Sequence, residues 1–214
     1  QCRFPLQRLL VLARLHEAVT AEEVAGYHRE LFEDALKYNT REEVSGLLLL
    51  CSSYVLHVVE SCSSTIHLLI RDLASLQNQG PGAFLQDIKV LVVAHDLPRR
   101  LFPEWEAIAV TSPVPRPRGS TQPQPVEEMV AECLSLLLDV AADLPKIAED
   151  DGEDSSDTLC TLASELLIPA ETISSLCKAE ECTSPVDFLR TYLSPFQPAL
   201  DSETVWPVPM HLSA

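Results

Sequence analysis

Five prolines and one glycine fall within the fifteen residues "TSPVPRPRGSTQPQP", 111–125, and this stretch sets the organisation of the whole chain. Proline fixes φ and lacks an amide donor, so the segment can extend neither a sheet ladder nor a helix, and it reads as an extended linker. Charge divides at the same place. Residues 1–110 carry 14 acidic against 10 basic side chains, residues 111–214 carry 18 against 5, and the net charge is −17. An acidic surface repels phosphate, which excludes nucleic-acid binding, above all for the C-terminal half. An acidic extension instead meets a basic protein partner or keeps the chain in solution.

Before the linker, short apolar runs alternate with helical patterns. "RLLVLAR" (8–14) suits a strand covered on both faces. Thr20 and Glu23 form a capping box, and Val24, Tyr27, Leu31 and Ala35 recur at helical spacing as far as Lys37. "SGLLLLC" and "YVLHVVE", separated by Ser52 and Ser53, predict a hairpin. Ser63 and Ser64 are placed to cap a second helix with Ile66, Leu69, Ile70, Leu73 and Leu76 on one face. "NQGPGAF" breaks that helix, and "DIKVLVVAH" (87–95) and "WEAIAV" (105–110) supply two further strands. The order β-α-β-β-α-β-β resembles a ferredoxin-like α+β sandwich, with two helices on one face of a mostly antiparallel sheet.

After the linker, Pro125, Glu127 and Glu128 open a helix expected to reach Leu144. Its stripe of Met129, Cys133, Leu136, Val140 and Leu144, widened by Val130, Leu137 and Ala141, must be covered by the sheet, by later helices or by another chain. "EDDGEDSSD" (149–157) reads as a solvated acidic loop rather than a calcium loop, since its carboxylates lack the helical-hand spacing. Short helices are expected over 158–168, 170–180 and 185–193. The domain division is therefore 1–110, a ferredoxin-like domain; 111–125, the linker; 126–193, an acidic helical extension; and 194–214, an extended tail. No apolar run approaches the roughly 20 residues of a membrane helix, so no membrane association is expected.

Seven cysteines, Cys2, Cys51, Cys62, Cys133, Cys160, Cys177 and Cys182, are scattered, odd in number and set among apolar residues. That pattern implies reduced thiols in the cytoplasm rather than a disulfide framework, and no pair has zinc-site spacing. The common catalytic signatures, including the nucleophile elbow, the Walker loop and the dinucleotide fingerprint, are absent, and Glu60 has no partner for a two-carboxylate mechanism.

Three ordered motifs carry a family resemblance over about residues 7 to 110. Asn39 precedes Val44, Ser45, Gly46, Leu47 and Leu48; "VLHVVES" runs from Val55 to Ser61; and Arg100, Phe102 and Trp105 stand in "RLFPEWEA". These resemble the BLUF family of flavin-binding blue-light sensors, which implies the ferredoxin-like fold. The family's photochemistry uses a tyrosine on the first strand, a glutamine on the third and a methionine after the tryptophan. Here those positions are Val11, His57 and Ala107, and Asn39 alone of the ring-holding residues is retained. Without a phenol on the first strand no near electron donor serves a photocycle, so no cofactor is expected. His57 reads as a strand histidine packed beneath the helices with backbone or water partners, and Phe102 and Trp105 as core anchors.

Three functional classes follow. A structural or interaction protein fits the wide apolar helix and proline-rich tail; a flavin or small-ligand sensor needs an open pocket between the helices; an acylphosphatase-like enzyme needs a phosphate-cradling arginine loop that is absent. A degenerate core followed by a helical extension also resembles a vertebrate testis-expressed BLUF-like family. That implies sperm or its flagellar axoneme, and a non-enzymatic role among other proteins in a large cytoskeletal assembly.

Overall fold

In a computed structural model of the chain, residues 5–38, 43–51, 53–110, 124–148, 168 and 170–193 are described. The first seven elements are β1 (Leu6–Leu15), α1 (Ala21–Tyr38), β2 (Ser45–Leu50), β3 (Tyr54–Cys62), α2 (Ser63–Asn78), β4 (Leu85–Leu97) and β5 (Trp105–Ala109). This is the expected α+β order. The five strands form one sheet in the order β4-β1-β3-β2-β5, antiparallel except between β2 and β5.

The strand sequences are almost continuously apolar because both faces of the sheet are covered. Alternation sends Leu9, Val11, Ala13, Leu48, Leu50, Val55 and Val59 to a core beneath α1 and α2. Leu10, Leu12, Leu47, Leu49, Leu56 and Val58 face the other way, into a core shared with the C-terminal helices. Those helices are α3 (Val126–Ala148) and α4 (Ala170–Lys178), whereas the last helix, α5 (Pro185–Leu193), packs with Phe188 and Leu189 against the core beneath α1 and α2. The stripe predicted on α3 is buried at Met129, Cys133, Leu136, Leu137, Val140 and Ala141, and its cover is the sheet together with Ile168, Ile173 and Leu176. Burying each such leucine contributes about 1.5 to 3 kcal/mol, so the extension and the sheet hold each other.

The capping box forms as read: Glu23 accepts from the Thr20 amide at 2.8 Å, and Thr20 Oγ1 accepts from the Glu23 amide at 3.2 Å. The cap predicted at Ser63 and Ser64 does not form. β3 runs straight into α2, so Cys62, with extended backbone, takes the N-cap and no side chain caps the helix. The stripe read on α1 is also shifted. Val24 and Ala35 are buried, but Tyr27 and Leu31 are only partly so, and Ala25, His28 and Phe32 lie deeper.

Cys51, Cys62, Cys133, Cys177 and Cys182 are buried free thiols. Burial pushes Cys51 and Cys177 up to about 11 and Cys133 up to about 12, which keeps them protonated and poorly nucleophilic. Cys2, Cys160, the acidic loop at 149–157, residues 158–167 of the helix expected over 158–168, residues 111–123 of the linker expected over 111–125 and the tail from Ser194 lie outside the described residues, as does the side chain of Leu144.

Candidate functional site

Sheet register brings three of the four predicted site positions into one row. Val11 pairs with His57 across β1 and β3, His57 with Leu48 across β3 and β2, and Leu48 with Ala107 across β2 and β5. Because register is fixed along the row, all four side chains share the face beneath α1 and α2. Asn39 lies outside the described residues.

Over this row sits a cluster of rings. His57 is fully buried, and its Nε2 accepts the indole N–H of Trp105 at 3.0 Å. The His28 ring meets it edge-on, 4.7 Å between centroids at 86°, and Phe32 lies 6.1 Å away. Phe32 also packs edge-on against Trp105 at 5.4 Å, and the Arg29 guanidinium sits 5.9 Å over the indole. Edge-to-face packing at these separations adds about 0.5 to 1.5 kcal/mol per pair beyond burial. The expectation of backbone or water partners for His57 is therefore corrected. The partner of its Nε2 is a side chain two residues from Ala107 on the edge strand β5, reached across β2.

Proton positions in the cluster follow from the partners. Since Nε2 of His57 accepts, a neutral ring carries its proton on Nδ1. Burial, with His28 adding to it, holds the His57 pKa well below 6.5. His28 Nδ1 lies 2.8 Å from the carbonyl of Val24 and donates to it, which leaves its buried Nε2 as a bare lone pair. Burial lowers the His28 pKa as well, against opposing effects of that hydrogen bond and of Asp72. Asp72 in turn accepts from Tyr27 Oη at 2.7 Å, and burial together with this carboxylate raises the phenol's pKa. Sequence reading missed His28. Its signal was position: it stands four residues after Val24 and four before Phe32, one line down the same helix face.

The matching motif residues do other work. Glu60 is fully buried beneath the loop joining β4 to β5. It accepts from Arg8 Nε at 2.7 Å, Ser45 Oγ at 3.0 Å, the Leu101 amide at 3.0 Å and the Phe102 amide at 3.3 Å. Arg100 donates to Ser45 Oγ at 2.9 Å, the Glu60 carbonyl at 2.8 Å and the Glu43 carbonyl at 2.7 Å. This clamp fixes the loop that delivers Trp105, whose neighbour Phe102 is buried as expected. Gly46, φ +145°, lies where a Cβ would fall 2.1 Å from the Val58 carbonyl oxygen, so no other residue fits there.

The fold defines a class: an α+β sandwich, BLUF-like in its element order and sheet topology. The family model described as Testis-expressed protein 47 matches residues 5–194, and the chain belongs to that family. Among solved structures, the chain is similar to the BLUF domain of BlrP1, with 17% identity, TM-score 0.38, 50% of this chain and 66% of that one covered. Similarity to BlrP1 of Klebsiella pneumoniae in its calcium and cyclic-di-GMP complex is 16% identity at TM-score 0.37, covering 49% of this chain and 24% of that one. For the BLUF protein BlrB in its dark state the figures are 15%, 0.39, 77% and 98%. The chain thus spans less than two thirds of either BlrP1 chain. Among the described residues no helix is long and apolar enough to cross a membrane.

Proposed function

We propose that this chain is a non-catalytic structural or interaction protein, a component of a sperm flagellar, axonemal assembly, built on a BLUF-like fold that has lost flavin photochemistry. The observation that carries the reading is the His57 to Trp105 hydrogen bond within the ring cluster. The photochemistry of the sensors this chain resembles uses an amide that can both donate to and accept from the flavin edge, and a phenol within reach. At those positions the chain offers an imidazole already committed to Trp105 and the aliphatic Val11, paired directly beside it. The rings of His28 and Phe32 occupy the space over His57. The residues present do not fit the flavin.

Membership in a testis-expressed family supports the cellular setting. A sheet covered on both faces supports a rigid body rather than a moving one. In this reading the partners are proteins, neither nucleic acid nor membrane takes part, and the mechanism is shape and charge complementarity. Purified chain should be colourless, release no flavin on denaturation, and co-fractionate with detergent-extracted axonemes from sperm. A stoichiometric flavin would overturn the loss of photochemistry, and solubilisation of the chain by detergent alone would overturn the axonemal placement.

A further inference from the structure

A chain that works by holding other proteins needs a surface built for one, and β4 supplies it; the inference therefore rests on the reading proposed above. β4 is the outermost strand on its side of the sheet. Proteins blunt such edges with lysine, proline or short length. β4 has 13 residues and no proline. Its single lysine, Lys89, is turned away, its ammonium bound to the carbonyls of Ala179 and Cys182 at 3.0 and 3.1 Å. The register on β1 slips beside Leu91, then runs regularly from Val92 to Ala94. Among the described residues, "LVVA", 91–94, is left without a guard.

Pairing on the outer side has already begun. The chain crosses this edge between α4 and α5, and the Val90 amide donates to the Thr183 carbonyl at 2.8 Å in an isolated antiparallel bridge. Beyond the bridge a groove of about 470 Å³ opens between β4, α2 and α5. Ile66, Ile70, Val93 and Phe188 form its apolar walls. Tyr192 stands at its rim, 68% exposed and packed on Phe188 at 4.5 Å. Among the described residues no carboxylate lines the groove of a chain whose net charge is −17, whereas His67 and His95 do. Arg71 follows one turn after His67 on α2; burial and this guanidinium lower the His67 pKa, so the positive charge beside the groove is that of Arg71.

We propose that β4 from Val90 to His95 is a docking edge for an extended segment of a partner protein, apolar at alternate positions and flanked by carboxylates, which continues the ladder that Thr183 begins. Main-chain hydrogen bonds supply the register, the groove takes alternate side chains, and the basic rim selects the flanks.

The full chain is titrated with a labelled peptide of about eight residues, alternating valine and threonine with glutamate at each end, a length matched to the edge. One control carries proline at its centre and another lysine at its ends. Saturable binding of the first peptide is expected, with loss for the proline control, binding about tenfold weaker for the lysine control, and slowed amide exchange from Leu91 to Ala94. Ala94→Lys, which restores an edge guard, should weaken binding about tenfold. Tyr192→Ala, at an exposed position, should weaken it several-fold without altering the melting temperature. Absence of saturable binding, or equal binding of the proline peptide, overturns the proposal. Dimerisation of the chain alone that Ala94→Lys abolishes overturns it in favour of a second copy. Neither result bears on cofactor content, so failure here is distinguishable from failure of the functional reading.

Discussion

The single donor of the Trp105 indole is taken by His57 Nε2 at 3.0 Å, so each of these two side chains completes the other inside the ring cluster. Trp105→Phe keeps most of the ring volume and removes the donor, leaving a buried imidazole nitrogen unpaired. A loss of about 1 to 3 kcal/mol in urea unfolding is expected. A double-mutant cycle with His57→Leu should return a clear coupling energy between the two positions; strict additivity would show that the hydrogen bond contributes nothing.

Both buried imidazoles have folded pKa values lowered from 6.5. The unfolded chain therefore takes up protons more readily than the folded one. The stability linked to these groups is complete above the unfolded value and is lost as the pH falls toward the lower folded values. Melting temperature should drop between about pH 7 and about pH 5, and His57→Gln should flatten that drop. An unchanged profile in the variant would place the titration elsewhere.

Glu60 gathers Arg8, Ser45 and two loop amides at full burial. Glu60→Ala strands Arg8 and those amides together, and a cost of about 3 to 5 kcal/mol is expected from chemical denaturation. Because the clamp carries the loop before β5, the Trp105 fluorescence maximum should also shift to the red.

The two glycines Gly46 and Gly26 should respond in opposite ways. A methyl at Gly46 meets the Val58 carbonyl, backbone that cannot step aside, and Gly46→Ala should yield insoluble protein. Gly26 lies inside α1 with nothing within 4 Å of an added Cβ. Gly26→Ala should raise stability by about 0.5 to 1 kcal/mol through helix propensity alone.

Replacing Val11 with tyrosine and His57 with glutamine places a phenol and an amide in adjacent register. Phe32, His28 and Trp105 still fill the space above them, so equilibrium dialysis should find no flavin bound. Measurable affinity in the double variant would show that the rings can part.

The sheet and its helices were legible because each apolar run has a strand's or a helix's period, and the motifs at Gly46, Glu60 and Arg100 fall at fixed spacings. Those residues answer to backbone geometry, which spacing records. The α2 cap was misread because Ser63 and Ser64 resemble a start signal, while Cys62 ends β3 in a backbone conformation that already serves as one. His28 and the Trp105 donor were not legible for a different reason. The first arises from α1 lying over β3 and the second from β5 facing β3 across β2, contacts between residues far apart in sequence that no local pattern encodes. The stripe on α3 announced an apolar face without naming its cover, which turned out to be the strands themselves.

The Gly46 contact has a consequence for how such chains are found and classified. A position whose only admissible occupant is set by a neighbouring carbonyl is held by folding, whatever the protein does. Recognition through that glycine, and through the carboxylate under the β4–β5 loop, therefore reports the scaffold and is blind to the chemistry. A chain that carries a chemistry and one that does not score alike on it, and only the row of side chains facing the helices can tell them apart.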